Sequence, residues 1–415
     1  MTDQFSTLSK QLTKTLSATE KKKNGIYFTP RNTVIDIIAK CKNIHPTINN
    51  ILEPSCGSGQ FINELDNSFT DVVIDGVEYN ECIFNAIQTT AQYKNTVNIT
   101  NGNYLDFDKT FSNTYDLIIG NPPFFVMKKT QVDPSYHCYF NGRPNIFILF
   151  IIKSLKHLRP DGILAFVLPK SFLNCSYYNE TRNYMYTTYE LLDISDHSVE
   201  KYIETSQETI SILVRAPPTV GKVEDKLHSK FVLSFSKNTL IFNTQDSIKK
   251  LKSLCIGSTT LSEMGFEVSI GTVVWNQHKN DLTDNKNETM LIYDSDIKDN
   301  ILSLKPFKNN DKKHFIRGRE GLNDLVLVMN RGYGKGKYKF NYCLIDIEQR
   351  YLLENHIMCI RYTKKTSRCE LRSKYNIIMA SFENDKTKQF IDIYAGTNDL
   401  NTKDISGILP IFLPE

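Results

Sequence analysis

From Gly25 to Arg215 the sequence alternates strand-like and helix-like segments, and no other feature narrows the possible folds as far. TVIDIIAK (33–40) has a helical period, and NNILEPSCGSG (49–59) reads as a strand closed by a glycine loop. QFINELDNSF (60–69) starts a helix, DVVIDGVEYN (71–80) is a strand, and ECIFNAIQTTAQ (81–92) is a helix. VNITNGNYLDF (97–107) is a strand with its loop. YDLIIGNPPFF (115–125) is a strand that two prolines must end, because neither has an N–H for a ladder. NIFILFIIKSLKHL (145–158) is helical, and GILAFVLP (162–169), ELLDISDH (190–197) and TISILVR (209–215) are strands. This rhythm specifies an α/β fold, a doubly wound and mostly parallel Rossmann-like sheet.

At 415 residues the chain is too long for one ordinary core, so two domains are expected. Ala216-Pro217-Pro218 ends the rhythm. The boundaries read as an N-terminal arm over 1–23, a first domain over 24–217 and a second, mixed α+β domain over 218–415. The second domain shows short strands and turns, such as FEVSIGTVVWNQ (266–277), LVLVMNRGYGKGKY (325–338) and NYCLIDI (341–347). The arm is polar and carries acids, which suits an amphipathic helix or a loose arm and not a secretory signal. No apolar run approaches the ~18 residues that span a bilayer, so no membrane partner is expected.

Nine scattered cysteines, with no CxxC pair and no His/Cys cluster at zinc spacing, suit free thiols in a reducing compartment. No metal is expected. Charge is uneven: residues 1–215 hold 20 basic against 22 acidic side chains, and residues 216–415 hold 30 against 24. Lys305–Lys339 and Arg361–Lys374 are the most basic stretches, interleaved with Tyr, Phe and Gly. Solvated faces would look the same, but two such stretches in one half tilt toward a polyanionic partner.

Glu53-Pro54-Ser55-Cys56-Gly57-Ser58-Gly59 follows one strand and opens a helix, where backbone can approach a ligand and N–H groups are unpaired. A plain tight turn would use the same glycines. The next strand, however, ends in Glu78, 19 residues after Gly59, where an acid commonly receives ribose hydroxyls. The absence of a third glycine argues against a pyrophosphate. S-adenosylmethionine, a ribose ligand without phosphates, fits, with Asn103 and Tyr104 of the third strand's loop set to meet its adenine. Tyr27-Phe28-Thr29-Pro30 reads as a helix start capped by Thr29.

Asn121-Pro122-Pro123-Phe124 falls at the carboxyl end of the fourth strand, on the rim where such sheets bind ligands. An exocyclic amine is a poor nucleophile because its lone pair is delocalised into the ring. The Asn121 side-chain oxygen and the Pro122 carbonyl can accept its two protons and stabilise the charge developing on nitrogen. Phe124 can stack on the base.

In this order the segments GIYFTP, ILEPSCGSG, DGVEYN, NGNYLDF, IGNPPFF and NIFILF…HLRPDGILAFVLPKSFL resemble the S-adenosylmethionine-dependent N6-adenine DNA methyltransferases of the γ arrangement. These are typified by type II modification enzymes with a C-terminal target-recognition domain. The resemblance covers about 24–215, and more loosely 260–415. It implies cofactor contacts from Phe28, Thr29, Glu53, Ser55, Gly57, Glu78, Asn103, Tyr104, Asn121, Ile146 and Phe150. It also implies that Asn121, Pro122 and Phe124 hold a flipped adenine, with Tyr202 as a second stacking aromatic. Arg317, Arg319, Arg331, Lys335 and Lys337 are the expected DNA contacts. Asn103 stands where the family carries Asp, and Phe124 where Tyr is commoner. The implied enzyme is a monomer acting on duplex DNA in the cytoplasm, nucleoid or nucleus, with a cognate restriction endonuclease as a separate chain. RNA or protein N-methylation, N4-cytosine methylation and a DNA-binding module without turnover are the competing readings.

Overall fold

In the computed structural model, residues 4–45, 47–90, 92–107, 114–218, 230–236, 239–332, 339–395 and 400–414 are described. The chain divides into two units, Met1–Ile248 and Lys249–Glu415. The first unit thus runs past 217, and it includes the hairpin Val232–Ser236/Thr239–Phe242.

Seven strands form the sheet of the first unit: β1 (Asn50–Glu53), β2 (Val73–Glu78), β3 (Thr96–Asn101), β4 (Tyr115–Gly120), β5 (Leu158–Pro169), β6 (Glu190–Asp196) and β7 (Thr209–Arg215). Their order is β3-β2-β1-β4-β5-β7-β6. The first five are parallel, and β7 runs antiparallel between β5 and β6. The expected doubly wound, mostly parallel sheet is therefore what the chain builds. The sequential strand order reverses between β1 and β4, the arrangement that opens a crevice at the strands' carboxyl ends.

The helices are α1 (Thr7–Thr15), α2 (Ala18–Asn24), α3 (Arg31–Ile44), α4 (Gln60–Ser68), α5 (Glu81–Thr90), α6 (Ile146–His157) and α7 (Asn179–Thr188). Strand periodicity sorts the core into two layers. Leu117, Ile119, Ile163, Ala165 and Val167 share a cluster with Val34, Ile37 and Ile38 of α3 and Phe61, Ile62 and Leu65 of α4. Ile118, Leu164, Phe166 and Leu168 face the other way, onto α6 and Met185 of α7. α6 is apolar around nearly its whole circumference and is buried accordingly. The N-terminal stretch is helical: Leu12 and Leu16 bury against Phe28, Ile83 and Ile87. Polar ties fasten it further, Ser9 Oγ to Ser58 Oγ at 2.7 Å and Lys21 Nζ to Glu204 at 2.7 Å.

The second unit holds two four-stranded sheets. One is antiparallel and runs Phe266–Ile270, Met358–Tyr362, Val326–Met329, Tyr342–Ile345. The helices Arg368–Glu383, Asp385–Ala395 and Thr402–Gly407 follow. The mixed α+β content expected of this half is present. No described helix is long and apolar enough to cross a membrane.

Arg182 of α7 is 1% exposed, and its guanidinium donates to the carbonyls of Leu240, Phe172 and Cys175 at 2.8–2.9 Å. It joins α7 to the hairpin and to the loop after β5. Arg182→Leu strips donors from three buried carbonyls and should cost about 3–5 kcal/mol. Urea unfolding of the variant tests this; a loss below about 1 kcal/mol would contradict that role for Arg182.

Candidate active site

A cavity of about 310 Å³ opens at the carboxyl ends of β1, β2 and β4. Phe28, Ser55, Gly57, Glu78, Asn103, Tyr104, Asn121, Ile146 and Phe150 line it, as do Pro123, Phe125 and Met127 of the segment after β4. Thr29, Glu53 and Pro122 are buried and do not line it. Phe124 is half-buried, its ring edge-on to Phe147 at 5.9 Å.

The geometry centres on the Asn121 amide. Its Nδ2 donates to the Tyr27 carbonyl at 3.2 Å and to Thr29 Oγ1 at 3.1 Å. A main-chain carbonyl can only accept, so the amino group must face it, and the amide orientation is determined. Oδ1 is consequently left buried with no hydrogen-bond partner among the described residues. Ser55 Oγ donates to the Asn121 main-chain oxygen at 3.1 Å. Gly25 lies against the same loop with φ +65°, and a Cβ there would come within 2.7 Å of the Phe124 amide nitrogen. Only glycine accepts both that conformation and that approach.

Thr29 does not cap the helix, contrary to the sequence-based expectation. α3 begins at Arg31 behind Pro30, with no side-chain cap, and the Thr29 hydroxyl is directed to Asn121 instead.

Glu78 accepts the N–H groups of Gly57 at 2.8 Å and Asn80 at 2.7 Å, which joins the glycine loop after β1 to the end of β2. Burial pushes its carboxyl up to about 7, although the Asn80, Gly57 and Tyr79 amides pull the other way. Glu53 is held well above the usual carboxylate range by burial and then by the charge of Glu78. Its Oε2 has no hydrogen-bond partner among the described residues.

Asn103 is engaged locally. Its Oδ1 accepts from the Leu105 amide at 3.2 Å, and its Nδ2 donates to Asp106 at 2.9 Å. The adjoining Tyr104 ring lies 5.3 Å from Phe150, and its hydroxyl meets Ser154 Oγ and His157 Nδ1, each at 3.1 Å. Burial, reinforced by Lys153 and Lys156, lowers His157 to about 4, so this cluster is neutral at physiological pH. Tyr202 is 8% exposed, with its hydroxyl 3.5 Å from Thr209 Oγ1. It borders a separate, much smaller cavity with Tyr27 and Phe28 and is not brought to the larger one.

Several wall residues were not singled out in the sequence. Tyr79, 68% exposed, and Ile83 line the wall after Glu78, and Asn24–Tyr27 line it as well. Tyr79 follows the strand's final acid directly, which was a legible signal. The Tyr27 carbonyl was not, because any residue carries one.

In the second unit, the Arg317 guanidinium donates to Thr283 Oγ1 at 3.3 Å, Arg319 meets His278 Nε2 at 3.1 Å, and Arg331 is exposed. Lys335 and Lys337 lie outside the described residues. Several other cations there are already paired: Lys279 with Asp311, Lys313 with Asp284, and both Arg368 and Arg372 with Asp346.

The cavity's donor set fits a ribose ligand without phosphates. A carboxylate stands at the wall, Phe28, Ile83, Ile146 and Phe150 supply apolar faces, and among the described residues no Lys, Arg or His lines it. Sheet order and site together define an S-adenosylmethionine-dependent methyltransferase. Residues 7–202 match the family described as Eco57I restriction-modification methylase. Over 98% of its length the chain is 27% identical to the type II methyltransferase M.CvrRI of Paramecium bursaria Chlorella virus XZ-6E, covering 99% of that protein. It is 25% identical, over 99% of both chains, to the modification methylase CviBIII of Paramecium bursaria Chlorella virus NC1A. Among solved structures, the DrdV–DNA complex shares the fold at a TM-score of 0.51 and 12% identity, over 94% of this chain and 57% of that one.

Glu78 carries a pH signature. Its carboxyl ionises at about 7 in the folded protein and near 4.5 in the unfolded chain, so between these values the folded state binds more protons. Stability therefore falls as pH rises from about 4.5 to about 7, and this contribution is level above. The thermal midpoint of the cofactor-free protein should drop across that interval, and Glu78→Gln should flatten the drop. An unchanged slope in the variant would contradict the assignment.

Proposed function

We propose that the protein methylates N6 of adenine in duplex DNA, on a base turned out of the stack. The observation that carries this is the Asn121 Oδ1, an unpaired buried acceptor at the end of β4 whose amide cannot rotate without losing the Tyr27 contact. Such an acceptor suits an amine with protons to give and does nothing for a carbon or hydroxyl nucleophile. The bound cofactor supplies a methyl group on a sulfonium, open to in-line attack. Asn121 Oδ1 takes one amine proton in a hydrogen bond and the Pro122 carbonyl the other, which draws the nitrogen toward a pyramidal geometry. The same two dipoles stabilise the positive charge that develops there. Phe124 packs on the base plane, with Phe147 bracing its edge.

Glu78 receives the ribose hydroxyls, and Tyr79 and Phe28 flank the cofactor's purine and sugar. Glu53 and Thr29 act from behind the wall, Thr29 by holding the Asn121 amide. In the second unit, Arg317, Arg319 and Arg331, with Lys335 and Lys337, serve the phosphates and base edges. The restriction-modification description of the family and the type II names of the full-length relatives support DNA as the substrate.

The test is to identify the product. Duplex DNA, tRNA and a protein extract are incubated with methyl-labelled S-adenosylmethionine, then digested and separated by mass. Labelled N6-methyladenine from DNA is the expected product. Label in N4-methylcytosine, or in RNA or protein with none in DNA, would overturn the reading.

A further inference from the structure

Between the cavity-lining Phe125 and helix α6 the chain makes an excursion, residues 126–145, whose two ends are clamped together. Val126 and Asn145 form an antiparallel bridge, and the Met127 amide donates to the Pro144 carbonyl at 2.8 Å. Just beyond, the Ile146 amide donates to the Phe125 carbonyl at 3.0 Å. Continued past the bridge, this register places Lys128 and Arg143 at facing positions on the two strands of the stem. Side chains alternate along extended chain, and Lys128 and Asn145 both have extended dihedrals. One face of the stem is turned inward, with Met127 on the cavity wall and Pro144 buried. The other face carries Val126, 60% exposed, together with exposed Lys128 and Arg143. Lys129, also exposed, follows in the next turn.

Like charges placed directly across a strand pair repel and destabilise it. Relief by an acid is absent here: among the described residues no carboxylate pairs with Lys128, Lys129 or Arg143. Within the excursion, Asp133 accepts from the Ser135 amide, and Glu180 of α7 accepts from Asn141. The rest of the excursion is not loose: Val132 and Phe140 are buried, and Lys156 lies over the rings of Tyr136 and Tyr139. The cations therefore stand exposed on a packed support, with Lys128 directly after the cavity-lining Met127, where a phosphate would be favoured.

We propose that Lys128 and Arg143, with Lys129 beside them, form a phosphate clamp for the DNA strand that carries the target base. The clamp belongs to the first unit and is additional to the arginines of the second. It rests on the reading of duplex DNA as substrate. Its position explains how a base could be presented to Asn121 in register: the phosphates flanking the extruded nucleotide are held by the same segment whose inner face lines the cavity. Both side chains read backbone charge and carry no base specificity.

The experiment uses the full-length protein and a duplex shown to be methylated by the wild type. Binding is measured across a range of salt concentrations for the wild type, Lys128→Gln/Arg143→Gln and Lys128→Arg. Each lost phosphate contact should lower the slope of log K against log salt by about 0.9, so the double variant should lose close to 2 units. Its KM for DNA should rise about tenfold or more, S-adenosylmethionine affinity should hold, and Lys128→Arg should keep the wild-type slope. The thermal midpoint of Lys128→Gln/Arg143→Gln should not fall, because two like charges have been removed. An unchanged salt slope and KM in the double variant would overturn the clamp. A wild type that transfers no methyl to any duplex DNA would instead overturn the functional reading on which the clamp rests.

Discussion

Two acceptors on the segment Tyr27–Thr29 determine which way one amide points, and the chemistry of the site follows from that choice. The Tyr27 carbonyl and the Thr29 hydroxyl both take the Asn121 amino group. Oδ1 is then turned away from every protein donor described, in a buried position where an unmet acceptor is costly. A protein selected for stability alone would satisfy that oxygen. Its retention fits the proposed amine-binding role, in which the substrate's own N–H would complete the pairing. The adjoining prolines hold the next carbonyl in place, and the Gly25–Phe124 approach leaves the loop little room to relax.

The surrounding fold serves this geometry at two levels. The sheet order brings the glycine loop after β1, the acid after β2 and the proline loop after β4 to one rim. The Gly57–Glu78 hydrogen bond then couples the first two, and the Ser55–Asn121 bond couples the first and third. On the proposed reading, a cofactor held by Glu78 and an amine held by Asn121 would share one frame. The N-terminal helices complete it, since α2 leads directly into the Asn24–Phe28 wall.

Much of this was legible in the sequence because strands and helices write their periods plainly. Burial on both faces of β4 appears as the unbroken run YDLII, and the α3 face recurs at Val34, Ile37, Ile38 and Cys41. Glu78 and Asn121 were legible because strand ends are marked by a change in residue type. What escaped were roles carried by backbone or by hydrogen-bond direction. Thr29 read as a cap, since Thr-Pro before a helix has that meaning locally, yet its hydroxyl bonds to a residue 92 positions away. Asn103, read as a contact for the cofactor's adenine, lines the cavity while its oxygen also accepts from the Leu105 amide two residues on. The Lys128–Arg143 juxtaposition depends on an antiparallel bridge that no local pattern announces.

The central claim is that Asn121 acts on the reacting amine and not on the binding of either ligand. Single-turnover methyl transfer with saturating DNA and cofactor isolates that step. Asn121→Ala should slow it by about 10²–10³-fold, the scale of a lost charge-stabilising contact, while the dissociation constant for S-adenosylmethionine stays near wild type. A near-normal transfer rate, or a loss traced wholly to weakened cofactor binding, would contradict the account.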